Sequence, residues 1–584
     1  ARSRHPDAAQ RAEQVLLGMQ EFGARPNEVT YNTCINAWAR SRDANAPQKA
    51  EAMLNRMVEQ HRRGDLHVRP SVISYSTVMR AWANHGNPHR AEAILDRLLL
   101  LQLRQEEEGE AEAAVASSKS SSNTSAVQPD RVMFNIAIDA WGKSKSKEDM
   151  NIAPLRAEEL LQKMEQCQSE RLKPDTVTYN TVMEVWCRSL TKRKSGGSST
   201  KENRIAAQRV MSILKRMEQM YEEGEERVKP DTRTYTTVMD VLAKSNAPGS
   251  ARQAEQILKQ MKRAHASGNE DARPNAFSYS ALIYAWAKSN EHCAAERAES
   301  ILRETERLSL TDNAVRPFTQ TYDAVIDAWA RSPHPRAHER AKSVFIEMLQ
   351  RYRAGDERVE PTVRSFSKVF LAFARAATHD KTSPYKAEEF LQLMEDLNRR
   401  GIVHVQPNSI IFTTLIDTWA KSASNNPKQA PERAEYLLTR MQQSYANGET
   451  HLKPDNVAFC SVVDAWVKSG RKDAALRIVS LISQMEKLYK FRGGDVDDED
   501  LKPNKMPYNS LIQVLVNSSD VDCTLKAKHA DQVLHRMFSS YLNGDYEMKP
   551  DQHVCMSVID LWSKTLLPES QEKIDRIEVL MKDI

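Results

Sequence analysis

The chain has 584 residues, with Lys plus Arg at 83 against Asp plus Glu at 79 and a net charge of +4, which excludes a broad polycation that coats nucleic acid without selectivity. Hydrophobic residues make up 40% and Gly fills only 18 positions, so there is a core to bury and little of the punctuation that strands need. Seven scattered cysteines (Cys34, Cys167, Cys187, Cys293, Cys460, Cys523, Cys555), never spaced as CxxC, argue for a reducing compartment, and no run reaches the roughly 20 apolar residues of a membrane span.

Residues 8 to 27 (AAQRAEQVLLGMQEFGARPN) read as the second half of a repeat unit, so residues 1–27 are expected to supply one helix of a partial leading repeat. From Thr30 a phrase begins, TYNTCINAWARS: an aromatic, a large apolar residue seven places on, a basic residue two further, then a small polar one. It returns at Tyr75, Phe134, Tyr179, Tyr235, Tyr279, Tyr322, Phe366, Phe412, Phe459 and Tyr508, and more weakly at Cys555, twelve copies in all. All nine tryptophans occupy one place in it, with Leu242, Phe373 and Leu515 there in the other three copies.

Tyr31, Ile35 and Trp38 fall at i, i+4 and i+7, one face of a helix. A second stretch such as KAEAMLNRM shows the same period through Ala50, Leu54 and Met57. Pro47, Pro88, Pro154 and Pro384 suit its first turn, Gly64, Gly224, Gly355, Gly448 and Gly544 suit its C-terminal cap, and a further Pro closes the unit. Each unit is thus a helical hairpin. A single hairpin cannot bury its own stripe, so residues 28–584 are expected to stack about twelve of them into an all-α, right-handed α-solenoid. Segments near 105–127, 190–203 and 493–500 have the composition of disordered inserts.

On a helical wheel with Tyr31 at zero, Val29 falls at about 160°, Asn32 at about 100°, Asn36 at about 140° and Arg40 at about 180°, all opposite the packing stripe. Stacking turns that face into a groove with a polar residue, a flat or apolar one and a cation from each unit, which suits splayed single-stranded bases and their phosphates. The cation recurs as Arg40, Lys143, Arg188, Lys244, Lys288, Arg331, Arg375, Lys421, Lys468 and Lys564, expected to face phosphate. The competing use of these residues is a helix-terminal charge paired with a carboxylate four residues earlier, as in Asp139 with Lys143 or Asp417 with Lys421.

No sequence signature of catalysis stands beside this groove. The histidine pairs His85 with His89 and His334 with His338 lack Cys partners, no HxE is followed by CxxC, and GxGxxG, GxxxxGK[ST] and GxSxG are absent, so no metal, no cofactor and no enzyme activity are expected.

The units VTYNTCINAWARS and VTYNTVMEVWCRS, closing with KPD, RPN or KPN, resemble the pentatricopeptide repeat (PPR). The likeness is P-class-like and runs over about 28–584, with units 43 to 59 residues apart that are longer than the family's usual one. It is similar to the repeat region of protein-only ribonuclease P, whose nuclease domain has no counterpart here. The resemblance implies a monomeric binder of single-stranded RNA in a mitochondrion or chloroplast, without a membrane role, that supports RNA processing, stabilisation or translation together with the corresponding factors. A protein-binding scaffold, or a non-catalytic accessory subunit of an RNA-processing enzyme, is the alternative.

In that family the residue after the aromatic and the residue after the closing Pro jointly select one base per unit. The resemblance then implies C for Asn32 with Ser71, G for Ser76 with Asp130, U for Asn135 with Asp175 and for Asn180 with Asp231, and A for Thr236 with Asn275. Further on, Ser367 with Asn408 implies A, Thr413 with Asp455 G, and Asn509 with Asp551 U. Ser280 with Phe318, Asp323 with Thr362 and Cys460 with Asn504 stay unassigned, and the whole reads C-G-U-U-A-x-x-A-G-x-U. Val29, Ile73, Val132, Val177, Ile410 and Val457 are implied to wedge between bases, whereas Arg233, Gln320, Arg364 and His553 are unusual there. The plain structural use of the Asn, Ser and Asp residues is helix N-capping.

Overall fold

The computed structural model describes residues 7–21, 24–41, 43–115, 127–167, 169–192, 200–491, 502–517, 522–565 and 567–582. Among the described residues there are 25 α-helices and no strand. The chain divides into two compact units, residues 1–291 with 304–316, and residues 292–303 with 317–584.

In the first unit, α1 (Ala8–Glu21) precedes the hairpins α2 (Glu28–Arg40) with α3 (Ala46–Arg62), α4 (Val72–Asn84) with α5 (Pro88–Val115) and α6 (Arg131–Lys143) with α7 (Lys147–Gln166). There follow α8 (Thr176–Lys192) with α9 (Thr200–Glu222), α10 (Thr232–Ser245) with α11 (Ser250–Ala266), and α12 (Ala276–Lys288). Helix α13 (Ala294–Leu308) is shared out between the units at Arg303. The second unit continues with α14 (Thr319–Arg331), α15 (Ala337–Arg353), α16 (Val363–Ala376), α17 (Ser383–Arg399), α18 (Ser409–Ser422) and α19 (Ala430–Ala446). It ends with α20 (Asn456–Ser469), α21 (Ala474–Phe491), α22 (Lys505–Asn517), α23 (Cys523–Leu542), α24 (Gln552–Ser563) and α25 (Ser570–Lys582). Within each unit the even-numbered helices, which carry the repeated phrase, pack one against the next, and each also packs on its odd-numbered neighbours, the order of an α-solenoid.

Three details differ from the sequence expectations. Residues 105–115 continue α5 instead of belonging to a disordered insert, and 190–192 and 200–203 lie in α8 and α9; the Ala- and Glu-rich run after Arg104 has high intrinsic helix propensity. The rest of those two segments, residues 116–126 and 193–199, and the expected insert at 493–500 lie outside the described residues. Pro154 is not in the first turn, because α7 begins at Lys147 and carries the ring inside the helix, at the cost of the bond it cannot donate to Met150.

The repeated phrase is a packing device. Tyr31 is buried and its hydroxyl donates to Gln60 Oε1 at 2.8 Å, and Tyr179 does the same to Glu165 at 2.8 Å. Seven of the nine Trp side chains hydrogen-bond to the odd-numbered helix before them: Nε1 of Trp38 donates to Glu13 (3.1 Å), Trp82 to Glu51 (2.9 Å), Trp141 to Glu92 (2.8 Å) and Trp186 to Glu158 (3.0 Å). In the second unit Trp329 donates to Glu299 (2.8 Å), Trp419 to Glu388 (2.8 Å) and Trp466 to Glu435 (3.1 Å).

The carboxylate and the indole go together along the chain. All nine Trp copies follow a helix with an acid at this place, the remaining two being Glu255 before Trp286 and Asp531 before Trp562. The three copies without Trp follow Met211, Lys342 and Val479. Around Phe373 an aromatic cluster stands in for the polar pair, with Phe345 against Phe366 at 4.6 Å and Phe370 against Phe390 at 5.2 Å between ring centres. Nε1 of Trp562, which follows the shorter Asp531, and Nε1 of Trp286, which follows Glu255, both lack a hydrogen-bond partner, so an acid at this place does not by itself secure the bond.

Two glycines are held by geometry. Gly448, at φ 99°, ends α19 in the left-handed region that L side chains rarely adopt, and turns the chain toward the next even-numbered helix. Gly142, which stands where most copies carry Ala, lets α6 approach α8; a Cβ there would meet Val185 Cγ2 at 3.0 Å and Arg188 Nη1 at 3.1 Å.

The cysteines follow their burial. Desolvation pushes the Cys34, Cys460 and Cys555 thiols up to about 11, about 12 and about 11, whereas Cys293 and Cys523 are exposed. Iodoacetamide at pH 8 is therefore expected to label Cys293 and Cys523 first and to reach the other three only in denaturant, as peptide mass mapping would show.

Candidate nucleic-acid interface

In most units the residue after the closing Pro caps the helix that follows. Asp130 accepts from the Met133 N–H (3.0 Å), Asp175 from Thr178 (2.9 Å), Asp231 from Thr234 (2.7 Å), Asn275 from Ser278 (3.1 Å), Asn408 from Ile411 (3.1 Å) and Asp455 from Ala458 (2.7 Å). Ser71 occupies the same N-cap position before α4. Capping therefore operates at these residues, and it holds each side chain in one place on the face of the even-numbered helices.

Several caps also lean back onto the residue paired with them in sequence. Asn180 Nδ2 donates to Asp231 Oδ1 at 3.1 Å, Thr413 Oγ1 to Asp455 Oδ1 at 3.4 Å, and Asn509 Nδ2 to Asp551 Oδ2 at 2.9 Å, with Cys460 Sγ 3.9 Å from Asn504 Oδ1. Asp551 makes no capping bond and instead takes Asn509 and Lys505 Nζ, the latter at 2.6 Å. Asp175 receives Arg131 Nη1 at 3.0 Å, and Asn32 Nδ2 goes to Glu28 Oε1 at 3.3 Å.

The hydroxyl members of the row donate into their own helix. Ser76 gives its hydrogen to Ile73 O (3.2 Å), Thr236 to Thr232 O (2.7 Å) and Ser367 to Val363 O (2.8 Å), which leaves each oxygen with acceptor capacity, shared in Thr236 with the Ser278 hydroxyl at 3.5 Å. Three of the four amides behave differently: Oδ1 of Asn32, Asn135 and Asn509 is buried without a hydrogen-bond partner, whereas Asn180 Oδ1 accepts from Thr234 Oγ1. Buried polar atoms are paired in the great majority of cases, so three orphans at one repeated position call for an explanation.

Two residues before the aromatic, most copies place an apolar side chain in solvent. Val29, Ile73, Val132, Val177, Ile410 and Val457 are all between 50% and 69% exposed. Phe277 and Met506 share the position and the exposure without being β-branched like the other six; their register two residues before Tyr279 and Tyr508 is what marks them. Arg233, at the same position in α10, pairs with Glu184. Between α10 and α12 a recess of about 750 Å³ opens, lined by Thr236, Asn275, Arg233, Phe277, Asp231 and Asp240, room for a flat heterocycle beside a reader pair.

The recurring cations are mostly engaged. Lys143 meets Asp139 at 2.7 Å, Lys421 meets Asp417 at 2.6 Å, Lys468 meets Asp464 at 2.5 Å and Arg331 meets Asp327 at 3.2 Å, each four residues apart on one helix. Arg188 bridges Asp139 (2.7 Å) and Glu184 (3.2 Å). Burial works to raise the Asp139 carboxyl, but its bonds to Lys143 and Arg188 hold it below the ordinary range. Lys244 Nζ contacts Cys187 Sγ at 3.0 Å, Arg375 Nη1 donates to Ala330 O at 2.9 Å, and Lys288 lies 5.2 Å from the Tyr284 ring centre. Arg40 and Lys564 stand exposed at the ends of α2 and α24. The carboxylate pairing weighed from sequence is thus present, and the cationic stripe is partly neutralised from within.

Among the described residues no group of three His, Cys, Asp or Glu is placed to hold a metal ion, and no helix is long and apolar enough to cross a membrane.

Residues 73–102, which span α4 from Ile73 and the first half of α5, match the family model for the PPR repeat. No curated protein matches the chain. A PPR repeat in an all-helical repeat protein marks a general family of helical RNA binders, most of them organellar and in general not catalysts.

Proposed function

We propose that the chain, which carries a PPR repeat at 73–102, binds single-stranded RNA in a sequence-dependent way, each hairpin of the row offering one base a reader pair, an exposed wedge and a cation. The observation that carries this is the set of buried, unpartnered Oδ1 atoms of Asn32, Asn135 and Asn509 at the position after the aromatic. A protein partner on the same groove gives no reason for the orphans to recur there, whereas a base edge supplies the missing donor. Bound in this way, the protein occupies a transcript in a mitochondrion or chloroplast and so supports its processing, stability or translation, with any chemistry done by other factors.

Selection from a random single-stranded RNA pool at near-physiological salt tests the reading. Enrichment of a motif like C-G-U-U-A toward one end is expected. Because Lys143, Arg188, Arg331, Lys421 and Lys468 already have carboxylate partners, the affinity should fall with log salt less steeply than ten free cations would give, about −0.7 per phosphate neutralised. Binding without enrichment that vanishes as salt rises leaves generic electrostatics only and favours a protein-binding scaffold.

A further inference from the structure

We propose that the seventh hairpin, whose pair Asp323 and Thr362 has no assigned base, selects guanine through Asp323 and Lys368. This rests on the base-reading assignment above and deepens it at one position.

Asp323 follows Tyr322 on α14 and is the only charged residue among the readers, which elsewhere are Asn, Ser, Thr or Cys. It is 4% exposed, and its Oδ1 accepts no hydrogen bond. A carboxylate withdrawn from water with one oxygen unmet is a costly arrangement that a ligand with donors relieves. Lys368, on the next even-numbered helix α16, donates from Nζ to the Asp323 backbone carbonyl at 2.6 Å, which sets an ammonium beside the carboxyl. Burial, together with the neighbouring Asp327, raises the Asp323 carboxyl above its ordinary range against the opposing pull of Lys368, the Ser365 hydroxyl and Arg364. Thr362 caps α16 at the edge of the same slot. The two wedge positions hold Gln320 and Arg364, both exposed, and a planar guanidinium is a surface on which a base stacks.

The donor and acceptor order of the four bases decides among them. An ionised carboxylate only accepts, and an ammonium only donates. Along its Watson–Crick edge guanine shows two adjacent donors, N2–H and N1–H, followed by the O6 acceptor. Uracil has one donor between two acceptors, cytosine one donor followed by two acceptors, and adenine one donor beside one acceptor. Guanine alone gives both Asp323 oxygens a donor and the Lys368 ammonium an acceptor, reached by a small swing of Nζ away from the carbonyl.

The test uses the full chain and two sets of RNA 11-mers built on C-G-U-U-A-C-N-A-G-C-U, one varied at the seventh base (N) and one at the fourth, with affinities from fluorescence anisotropy. Guanine at the seventh base is expected to bind about five- to 150-fold more tightly than the other three, the span of one good bidentate pair. Asp323→Asn should erase that preference and leave the preference for U at the fourth base intact, which also reports that the variant is folded. Lys368→Met should weaken the guanine RNA alone. Equal affinities at the seventh base beside discrimination at the fourth overturn the guanine assignment and leave base reading standing. A guanine preference that survives Asp323→Asn also overturns it. Absence of discrimination at both positions overturns both.

Discussion

Replacing Asn135, Asn180 and Thr236 by Ala together is expected to lower affinity for C-G-U-U-A RNA on the order of 10³-fold, since each base contact is worth about 1–3 kcal/mol and neighbouring losses are less than additive. Asn180 shows why the effect should be specific. Its Nδ2 is held on Asp231 and its Oδ1 accepts from Thr234 Oγ1 at 2.8 Å, so the amide presents one fixed orientation to the groove. Asn180→Ser removes the amide and frees an Asp231 oxygen to accept from a base, recreating the Ser76 and Asp130 combination of the second hairpin. The preference at the fourth base should then move from U to G. An equal loss for all four bases would show instead that Asn180 serves the fold, and an unchanged preference for U would sink base reading at this pair.

What sequence could disclose depended on whether a property repeats with the chain's own period. The hairpins were legible because Trp, the aromatic seven residues before it and the closing Pro recur in order. The capping of helices by Asp231 or Asn408 was legible too, since side-chain oxygens just before a helix have one dominant local use. Engagement of the cations was foreseeable only where the carboxylate lies four residues back, as for Lys143 and Lys421. Lys244 on Cys187 and Arg375 on a backbone carbonyl join separate helices and gave no linear signal. The same distance hid the acid that meets seven of the nine Trp: Glu388 and Trp419 are neighbours only once one hairpin is laid on the next. The start of α7 at Lys147 was missed because Pro154 looks like a first-turn proline, and only packing shows that the helix runs through it.

The acid and the indole set the second large expectation. Trp419 is fully buried, and Trp419→Ala should cost about 3–5 kcal/mol, read as a drop in the urea midpoint followed by far-ultraviolet circular dichroism. Trp419→Phe keeps most of the apolar contact and loses the Nε1 bond to Glu388, so about 1–2 kcal/mol should remain at stake. Glu388 is also held by Arg433 of the next odd-numbered helix, Nε to Oε1 at 3.1 Å, which ties α17, α18 and α19 through one carboxylate. Glu388→Gln combined with Trp419→Phe should therefore show a coupling of about 0.5–3 kcal/mol, because the two changes share a partner network. Hairpins in such an array contact only their neighbours, so loss of this clamp should weaken one junction more than the rest and split a single unfolding transition into two. The hairpin of Phe373 and Lys342 supplies the contrast. It has neither acid nor indole, and Lys342→Ala should move the midpoint by no more than an ordinary surface change, within about 0.5 kcal/mol. A Lys342 effect as large as that of Glu388 would mean that charge at this position, and not its bond to the indole, holds the hairpins together.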